Sequence, residues 1–597
     1  MKTPQIEFIP LRNAICSDAS TTLDLLVKII PPEPEADMKR PPLNIGLVID
    51  RSGSMSGEKI EYARKAASYA IDQLLPTDRV SVTIYDDRID TLIPSTHPTE
   101  KAFITAQIQS IQPRNMTALH EGWVQGGVEV SKYLNPQHMN RVILLSDGLA
   151  NHGETNPDVI ASDVKGLAKR GVSTTTMGVG QDYNEDLLEA MASSGDGNYY
   201  YIESADQLTD IFGMEMQGIM ATIGRDVTLR IEPQGDVEVV DVLNDLEVTR
   251  QGEFKLPNLV MGNPFTVVLR LKVPAISDAI DLCFFRLSWD DPEQQARQKL
   301  RVGLKLPVVN STQLEEFPFN SEVRQQVAMM MSARGKMEAV KKVDRGEYEA
   351  ASKILATTRQ KVLEAPDSLL LQQEAESLLD LDEHLKARRL QTYRKSAHYE
   401  SHFAGRGHHQ SSHGDFYTNR YLRAVRKRIE VVQGDITKQR VGAIVNATNS
   451  LLSGYSGVDA AIHQAAGPEL AAECRELNGC QMGEAKITEG YNLPAGSVIH
   501  TVGPGWQDGR HGEEQILGQC YRNSLTLAQQ CNIKTIAFSA IGTGALGFPL
   551  DLAAKVAIEQ VATFLYRDRS IEKVIFVCFT NEIYQSYLDV LKLFGCA

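Results

Sequence analysis

The stretch of sequence that constrains the fold most strongly reads Val445-Asn446-Ala447-Thr448-Asn449-Ser450-Leu451-Leu452-Ser453-Gly454-Tyr455-Ser456-Gly457-Val458-Asp459-Ala460-Ala461-Ile462-His463. It continues a short apolar, strand-like run at residues 443–445. Its glycines tolerate the positive φ angles that turn backbone N–H groups toward a diphosphate. Asp459 and His463 are four positions apart, so both fall on one face of a helix that begins beside this loop. A glycine-rich loop is weak evidence by itself, because ordinary tight turns use the same residues.

The segments on either side strengthen this evidence. In chain order they are Gly434-Asp435-Ile436-Thr437, Gly483-Glu484-Ala485-Lys486-Ile487-Thr488-Glu489-Gly490-Tyr491-Asn492-Leu493-Pro494-Ala495, Val498-Ile499-His500-Thr501-Val502-Gly503-Pro504, and Ala540-Ile541-Gly542-Thr543-Gly544-Ala545-Leu546-Gly547-Phe548-Pro549. Together they closely resemble the signature of macrodomains, the modules that bind ADP-ribose. Strand-like runs alternate with helical ones here, which predicts a C-terminal α/β/α domain over residues 428–597.

The resemblance implies a role for individual side chains in ligand binding. Asp435 would accept a hydrogen bond from the adenine amino group, and Asn449 would hold the distal ribose. Phe548 would close over the ligand, with Phe579 as a second wall. A capping Asp, a turn Asn and a core Phe are the alternative interpretations. The implied ADP-ribose-binding set is Asp435, Ile436, Asn446, Gly454, Tyr455, Gly457, Val458, Gly542, Thr543, Gly544, Ala545, Leu546, Gly547 and Phe548.

The pairing of Asp459 with His463 matches the catalytic pattern of the hydrolytic, MacroD-type branch. The implied reaction is attack of water on the anomeric carbon of the distal ribose, through a transition state like that of glycoside hydrolysis. The implied catalytic residues are Asn449, Asp459 and His463. Asp459 would position or deprotonate the water, and His463 would orient Asp459 or the start of the helix. A packed helix histidine is the alternative for His463.

One departure from the branch leaves two functions open. The hydrolytic branch has a run of glycines where this chain has Ser453-Gly454-Tyr455-Ser456-Gly457. Tyr455 facing outward, or stacked on the distal ribose, would leave catalysis intact. The chain would then remove mono-ADP-ribose from acidic side chains of proteins, or deacylate O-acyl-ADP-ribose. Tyr455 in the path of the leaving group would instead leave a non-catalytic adaptor that binds ADP-ribose.

A second candidate site follows an apolar strand at residues 44–49. The loop that leaves this strand is Asp50-Arg51-Ser52-Gly53-Ser54, and another apolar strand ends in Ser146-Asp147. Oxygen ligands at alternate positions of such a loop suit a hard divalent cation such as Mg²⁺, with Mn²⁺ or Ca²⁺ as alternatives. In open α/β sheets, ligands bind at this carboxyl end of the strands. A helix N-cap also explains Ser or Asp after a strand.

This set is similar to the metal-ion-dependent adhesion site of von Willebrand factor A domains. The matching positions are Asp50, Ser52, Ser54, Thr117 and Asp147. In that family an acidic side chain of a partner fills the open position on the cation. The resemblance therefore implies that this domain recruits a protein, a partner or a substrate, that offers a Glu or Asp to the metal.

The whole chain divides into six predicted segments, and the fold class is multidomain α/β. The doubly wound A domain is either inserted in the β-sandwich or followed by it. A cluster of histidines (His398, His402, His408, His409 and His413) could ligate zinc, but the polar, Gly-rich composition of this stretch favours a flexible linker. The segments are residues 1–42, N-terminal strands of a β-sandwich; 43–224, the A domain; 225–310, the β-sandwich; 317–395, a helical segment of about three helices; 396–427, a flexible linker; and 428–597, the macrodomain.

Composition limits the remaining classes of function. A chain of 597 residues, 42% of them hydrophobic, is expected to form several domains. The net charge of −15 disfavours generic binding to nucleic acid. The eight cysteines show no close pairing, which indicates free thiols in a reducing compartment. No apolar signal core or membrane-length run is found, so we expect a cytoplasmic protein that is not bound to a membrane.

Overall fold

The structure is a computed structural model in which the chain forms two compact units. One contains residues 1–366 and 374–409, and the other contains residues 367–373 and 410–597. None of the described helices combines the length and apolar character that a membrane span requires. The described residues are 3–33, 41–114, 116–147, 150–180, 183–202, 208–277, 280–292, 294, 296–366, 368–405, 421–422, 424–509 and 511–593.

The A domain in the first unit is built on a six-stranded sheet. Its central strands, Leu43–Asp50 and Met139–Ser146, are buried at every position, as expected for parallel strands covered by helices on both faces. These two strands pair in parallel, so the residues that follow them meet at one edge. In spatial order the strands are Ile89–Thr96, which is antiparallel, then Arg79–Tyr85, Leu43–Asp50, Met139–Ser146, Val172–Val179 and Tyr199–Ile202. The helices are Glu58–Gln73, Lys101–Gln109, Leu119–Ser131, Pro157–Ala168, Glu185–Ser194 and Leu208–Met220.

Two antiparallel sheets form a β-sandwich in the same unit. Strand Thr21–Ile30 pairs with Phe265–Val273, so the N-terminal strands and the strands after the A domain share one sheet. The A domain is thus inserted in the sandwich. The first sheet has the order Gln5–Pro10, Thr21–Ile30, Phe265–Val273 and Glu238–Val242. The second has the order Phe254–Lys255, Thr222–Pro233, Asp281–Asp291 and Ala296–Lys305, with Leu259–Val260 also on Thr222–Pro233, and Ile15–Cys16 pairs separately with Val308–Val309.

The helical segment contains one helix more than the sequence predicted. After the short helix Ser311–Leu314 come Ser321–Asp344, Tyr348–Glu364, Leu369–Lys386 and Leu390–Gly405. The last of these covers the first part of the predicted flexible linker, so that prediction is wrong for residues 396–405. Lys395 Nζ lies 2.7 Å from Glu185 Oε2, and His398 and His402 contact Glu189 at the surface of the A domain. These tertiary ion pairs order a polar stretch that its own composition would not order. His408, His409 and His413 lie outside the described residues.

The second unit is a six-stranded mixed sheet with helices on both faces. Five of its strands are parallel, and only the edge strand Ala485–Glu489 is antiparallel. In spatial order the strands are Ile429–Gln433, Lys573–Cys578, Thr535–Ser539, Ala443–Ala447, Ser497–Thr501 and Ala485–Glu489. The helices are Gly457–Ala466, Pro468–Glu476, Glu513–Gln530, Leu550–Arg567 and Asn581–Leu593.

Candidate functional site

The predicted ligand-binding residues of the second unit are collected along one edge of its sheet. Residues 434–435, 579, 540–549 and 448–456 follow the carboxyl ends of four strands that are consecutive in the sheet. Ala443–Ala447 pairs in parallel with Thr535–Ser539, so the two glycine-rich loops leave neighbouring strands in the same direction. We call this set of residues, together with the first turn of helix Gly457–Ala466 that contains Asp459, the carboxyl-edge site. It is the position at which open α/β sheets bind ligands.

Both loops of the carboxyl-edge site present backbone N–H groups. Gly454 and Gly457 have φ of +66° and +60°, and Gly542 has φ of +84°, values that favour glycine. In the described part of the chain, no protein acceptor is found for the N–H groups of residues 456–458 or 544–546. The first of these runs is the N-terminus of helix Gly457–Ala466, where free N–H groups and the helix dipole favour an anion. Two such loops on adjacent strands are suited to a diphosphate.

Asp459 is held from two sides in the first turn of helix Gly457–Ala466. The side chain is 4% exposed. Its Oδ1 accepts a hydrogen bond from Asn446 Nδ2 at 2.7 Å, and its Oδ2 accepts one from the Tyr455 N–H at 3.2 Å. His463 Nε2 lies 3.6 Å from the same Oδ1. The predicted pair of Asp459 and His463 is therefore close in space, and the Asp459 carboxylate also fixes the backbone of the first loop.

Asn446 is fully buried and faces the interior of the domain. Besides Asp459, its Nδ2 contacts His500 Nδ1 at 3.1 Å, and His500 Nε2 lies 2.9 Å from Thr488 Oγ1. Burial, together with the nearby His463, lowers the pKa of His500 to about 3. Neither His500 nor Thr488 was predicted from the sequence as a site residue. The available signal was a histidine inside an apolar strand run, residues 498–502, where a buried polar group needs partners.

The remaining residues of the first loop have clear positions. Asn449 organises its own turn, because its Nδ2 donates to Ser453 Oγ at 2.7 Å and its Oδ1 accepts from the Leu451 N–H at 2.9 Å. The Tyr455 side chain is 85% exposed. Of the three positions considered for Tyr455, which are outward, stacked on the distal ribose and in the path of the leaving group, this exposure corresponds to the outward one.

The other end of the carboxyl-edge site contains Asp435 and two aromatic residues. Asp435 Oδ1 accepts from the backbone and hydroxyl of Thr437, and these bonds lower the pKa of Asp435. The Phe579 side chain is 79% exposed, whereas Phe548 is 3% exposed and lies in the core with its ring centroid 4.7 Å from that of Trp506. Phe548 therefore supports the second loop from below, where Gly542 closely approaches its ring. Trp506 was not foreseen.

His463, Cys474 and His500 place three potential metal-binding atoms within 4.8 Å of one another. Sγ of Cys474 is 3.7 Å from His500 Nε2. That nitrogen already contacts Thr488, and the buried Cys474 thiol has a pKa raised to about 11, mainly by burial. The cluster is thus occupied by a hydrogen-bond network, and we assign no metal to it.

The A-domain site brings four of its five predicted residues into one hydrogen-bonded network. Ser54 Oγ donates to Asp147 Oδ1 at 2.7 Å and lies 3.0 Å from Ser52 Oγ. The Ser52 N–H donates to Asp50 Oδ1 at 2.7 Å, and Ser146 Oγ donates to Asp50 Oδ2 at 2.8 Å. Thr117 is buried on the loop before helix Leu119–Ser131. No hydrogen bond from it to Asp50 or Asp147 is found among the described residues.

The electrostatics of this network fit a cation. Asp50 and Asp147 are both fully buried, and burial, reinforced by the charge of Asp147, raises the pKa of Asp50 to about 6. The Lys59 ammonium lies 2.5 Å from Asp147 Oδ2 and supplies part of the missing positive charge. Buried carboxylates with hydroxyl neighbours form the hard oxygen donor set that Mg²⁺ prefers.

Comparison with known proteins identifies both modules. The Macro domain profile matches residues 445–557, and the von Willebrand factor type A domain profile matches residues 44–213. The chain is 56% identical over 165 residues to a macro domain-containing protein of Methanosarcina mazei, covering 28% of this chain and 88% of that protein. It is 50% identical over 175 residues to an O-acetyl-ADP-ribose deacetylase of Escherichia fergusonii, covering 29% of this chain and 99% of that protein. The chain therefore belongs to the macrodomain family, and it also carries a von Willebrand factor type A domain. The predicted multidomain α/β fold class is confirmed.

Solved structures match the chain as well. A macrodomain of Oceanobacillus iheyensis with MES bound is 41% identical, with a TM-score of 0.26, over 28% of this chain and 90% of that chain. A von Willebrand factor type A structure from Catenulispora acidiphila is 16% identical, with a TM-score of 0.49, over 64% of this chain and 90% of that chain.

Proposed function

We propose that the carboxyl-edge site binds ADP-ribose and hydrolyses the bond that joins it to an acyl or carboxyl group. The substrate is mono-ADP-ribose on an acidic side chain of a protein, or O-acyl-ADP-ribose. One observation carries the proposal: the Asp459 carboxylate lies at the helix N-terminus whose N–H groups are available to an anion, beside the first glycine-rich loop. Ligand and base are thereby brought to the same place.

The proposed chemistry needs one water molecule and one base. With an ADP-ribosylated protein, water adds to the anomeric carbon while the bond from that carbon to the carboxylate oxygen breaks. The departing carboxylate retains the bonding electrons, and Asp459 takes a proton from the water. Asn449 holds the ribose hydroxyls, and His463 keeps the Asp459 side chain oriented. With O-acyl-ADP-ribose the water adds to the acyl carbon instead, and the ester bond from that carbon to the ribose oxygen breaks. The ribose oxygen takes the bonding electrons and the proton that Asp459 removed from the water, which gives ADP-ribose and the free acid.

Two observations favour hydrolysis over simple recognition. The Tyr455 backbone N–H is bonded to Asp459, and the Tyr455 ring projects into solvent rather than packing over Asp459. The similar protein from Escherichia fergusonii is named an O-acetyl-ADP-ribose deacetylase. The adaptor that binds ADP-ribose without turnover is the second candidate, because side chains replace glycines at Tyr455 and Ser456.

The deciding experiment measures free ADP-ribose released from a protein that carries carboxylate-linked mono-ADP-ribose. In Asp459→Ala we expect release to fall by about 100-fold or more, the scale of losing a general base. Binding of ADP-ribose, measured by calorimetry, should weaken by much less than the rate falls, because Asp459 supports the first loop only through the Tyr455 N–H. Asp589→Ala removes an exposed carboxylate whose ion-pair partner in the described part of the chain is Lys592, and serves as the matched control. A parallel assay with O-acetyl-ADP-ribose identifies the preferred substrate.

The alternative outcomes separate the two candidates. Binding without release by the wild type from either substrate would establish the adaptor. Equal release by wild type and Asp459→Ala would show hydrolysis that does not depend on Asp459, and would refute the assigned base.

For the A domain we propose a divalent cation, Mg²⁺ or else Mn²⁺ or Ca²⁺, held by Asp50, Ser52, Ser54 and Asp147 with Thr117. The bound cation would offer a coordination position to a Glu or Asp of a partner or substrate protein. Chelation of the cation should then slow hydrolysis of the ADP-ribosylated protein and leave O-acetyl-ADP-ribose turnover unchanged. Equal slowing of both reactions would argue against recruitment.

A further inference from the structure

A continuous chain of hydrogen bonds leads from the edge strand of the second unit to Asp459. It runs from Thr488 Oγ1 to His500 Nε2 at 2.9 Å, from His500 Nδ1 to Asn446 Nδ2 at 3.1 Å, and from Asn446 Nδ2 to Asp459 Oδ1 at 2.7 Å. Asn446 and His500 have no exposed surface, and Thr488 is 3% exposed. Water therefore does not substitute for any link in this chain.

The chemistry of the groups fixes the direction of every bond. A carboxylate only accepts, so the Asn446 atom that faces Asp459 is its NH₂ group. The same NH₂ group faces His500, so His500 Nδ1 accepts and the imidazole proton is on Nε2. That proton is donated to Thr488 Oγ1, whose own hydroxyl faces the Val498 carbonyl oxygen at 3.4 Å. The partner of one ring nitrogen thus decides the role of the other.

We propose that Thr488 and His500 are positioning residues, which hold the Asn446 amide, and through it the Asp459 carboxylate, in the orientation that hydrolysis requires. This inference rests on the proposed function. Neither residue reaches the carboxyl-edge site, because both lie behind Asp459 in the domain interior. They act only by selecting one tautomer of His500 and one orientation of Asn446.

The surroundings of His500 support a neutral imidazole with a single tautomer. Burial lowers its pKa to about 3, so the ring does not become a double donor at ordinary pH. A protonated His500 would present an Nδ1–H to the Asn446 NH₂ group, which also donates. Two donors cannot satisfy each other, so protonation would disrupt the chain.

Loss of the Thr488 acceptor should have a similar consequence. In Thr488→Val the side-chain shape is kept, but the buried His500 Nε2–H loses its oxygen acceptor and faces only the weak acceptor Cys474 Sγ, 3.7 Å away. A shift of the proton to Nδ1 relieves that cost, and Asn446 must then turn its amide oxygen toward His500. The same oxygen would face Asp459 Oδ1, and the repulsion between them would displace the carboxylate. Loss of the Thr488 hydroxyl is thus transmitted to Asp459 through His500 and Asn446.

The test uses the full chain with Thr488→Val, and Thr488→Ser as the conservative variant that restores the hydroxyl. We expect Thr488→Val to lower kcat about tenfold, equivalent to about 1.4 kcal/mol. KM and the calorimetric affinity for ADP-ribose should change little, because Thr488 does not touch the ligand. Thr488→Ser should recover most of the wild-type kcat. Thermal unfolding of both variants shows whether they are folded.

A spectroscopic measurement reports the tautomer without turnover. In protein labelled with ¹⁵N-histidine, with His500 assigned by difference against His500→Gln, the wild type should show its proton on Nε2 and Thr488→Val should show it on Nδ1. A wild-type proton on Nδ1, or an unchanged kcat in folded Thr488→Val, would overturn the proposal. Failure of the wild type to hydrolyse any substrate would instead refute the proposed function, and would leave the His500 tautomer as a separate, readable result.

Discussion

The A-domain site and the carboxyl-edge site occupy the same position in two six-stranded sheets, but different chemical groups line them. In the A domain, side-chain oxygens converge on one point, and two buried carboxylates create a demand for positive charge. In the carboxyl-edge site, backbone N–H groups of two loops are available to an anion, and the one central carboxylate, Asp459, is already bonded within the protein. One architecture can therefore suit a cation or an anion, according to whether side-chain oxygens or backbone N–H groups line its edge.

The largest expected contrast is in the pH at which each unit loses stability. The folded-state pKa of His500 is lowered from 6.5 to about 3, so the unfolded chain binds a proton that the folded chain does not. Stability present above pH 6.5 is therefore lost as the pH falls toward 3, at up to about 1.4 kcal/mol per pH unit. In the first unit, burial by itself would raise the pKa of Glu189. Hydrogen bonds from His398 and His402 outweigh burial and lower that pKa from 4.5 to about 2. The stability that ionised Glu189 contributes to the first unit is lost only as the pH falls from 4.5 to 2.

Hydrogen exchange followed by mass spectrometry on the full chain resolves the two units. Residues 429–593 should lose protection at a higher pH than residues 43–202. Glu189→Gln should flatten the change of the first unit below pH 4.5 and leave the second unit as it is. Loss of protection in both units at the same pH would contradict the expected contrast between them.

A somewhat smaller effect is expected from the cation. At a Mg²⁺ concentration about 100 times its Kd, the A domain should gain about 2.7 kcal/mol of stability. Asp50→Ala should abolish this gain, because it removes a buried carboxylate of the donor set. The measurement is thermal unfolding with and without Mg²⁺. Asp589→Ala in the other unit should retain the full gain, and a gain that survives in Asp50→Ala would place the cation elsewhere.

The smallest of the three effects tests the backbone character of the carboxyl-edge site. Gly454 has φ of +66°, and a Cβ there would lie 2.6 Å from His463 Cγ. Gly454→Val should weaken ADP-ribose binding about tenfold, because a side chain costs about 1–2 kcal/mol in this conformation and also displaces His463. Gly346→Val is the matched control, because Gly346 has a similar φ of +75° and lies in the first unit. Calorimetry that shows equal affinities for the two variants would mean that the first loop does not hold the ligand.

Part of the A-domain site was predictable, because oxygen-bearing residue types at fixed spacings after a strand indicate a cation site. Asp50, Ser52 and Ser54 follow an apolar strand at alternate positions, and a second strand ends at Asp147, so parallel pairing was enough to bring them together. Lys59 was not foreseen, because its contact with Asp147 depends on how helix Glu58–Gln73 packs. Phe548 was expected to cover the ligand, but its place in the core depends on the packing of Trp506 and the second loop.

Sequence alone determined the two modules and their order, because strand periodicity and motif spacing are local properties of the chain. Tertiary structure decided what depends on contacts between distant residues. Helix Leu390–Gly405 exists as an ordered element because Glu185 and Glu189 pair with its polar side chains. The Asn446 amide is oriented by His500 and Thr488, which are 54 and 42 positions away in the chain. Burial of those polar groups makes each hydrogen bond obligatory, and burial is a property of the folded molecule alone.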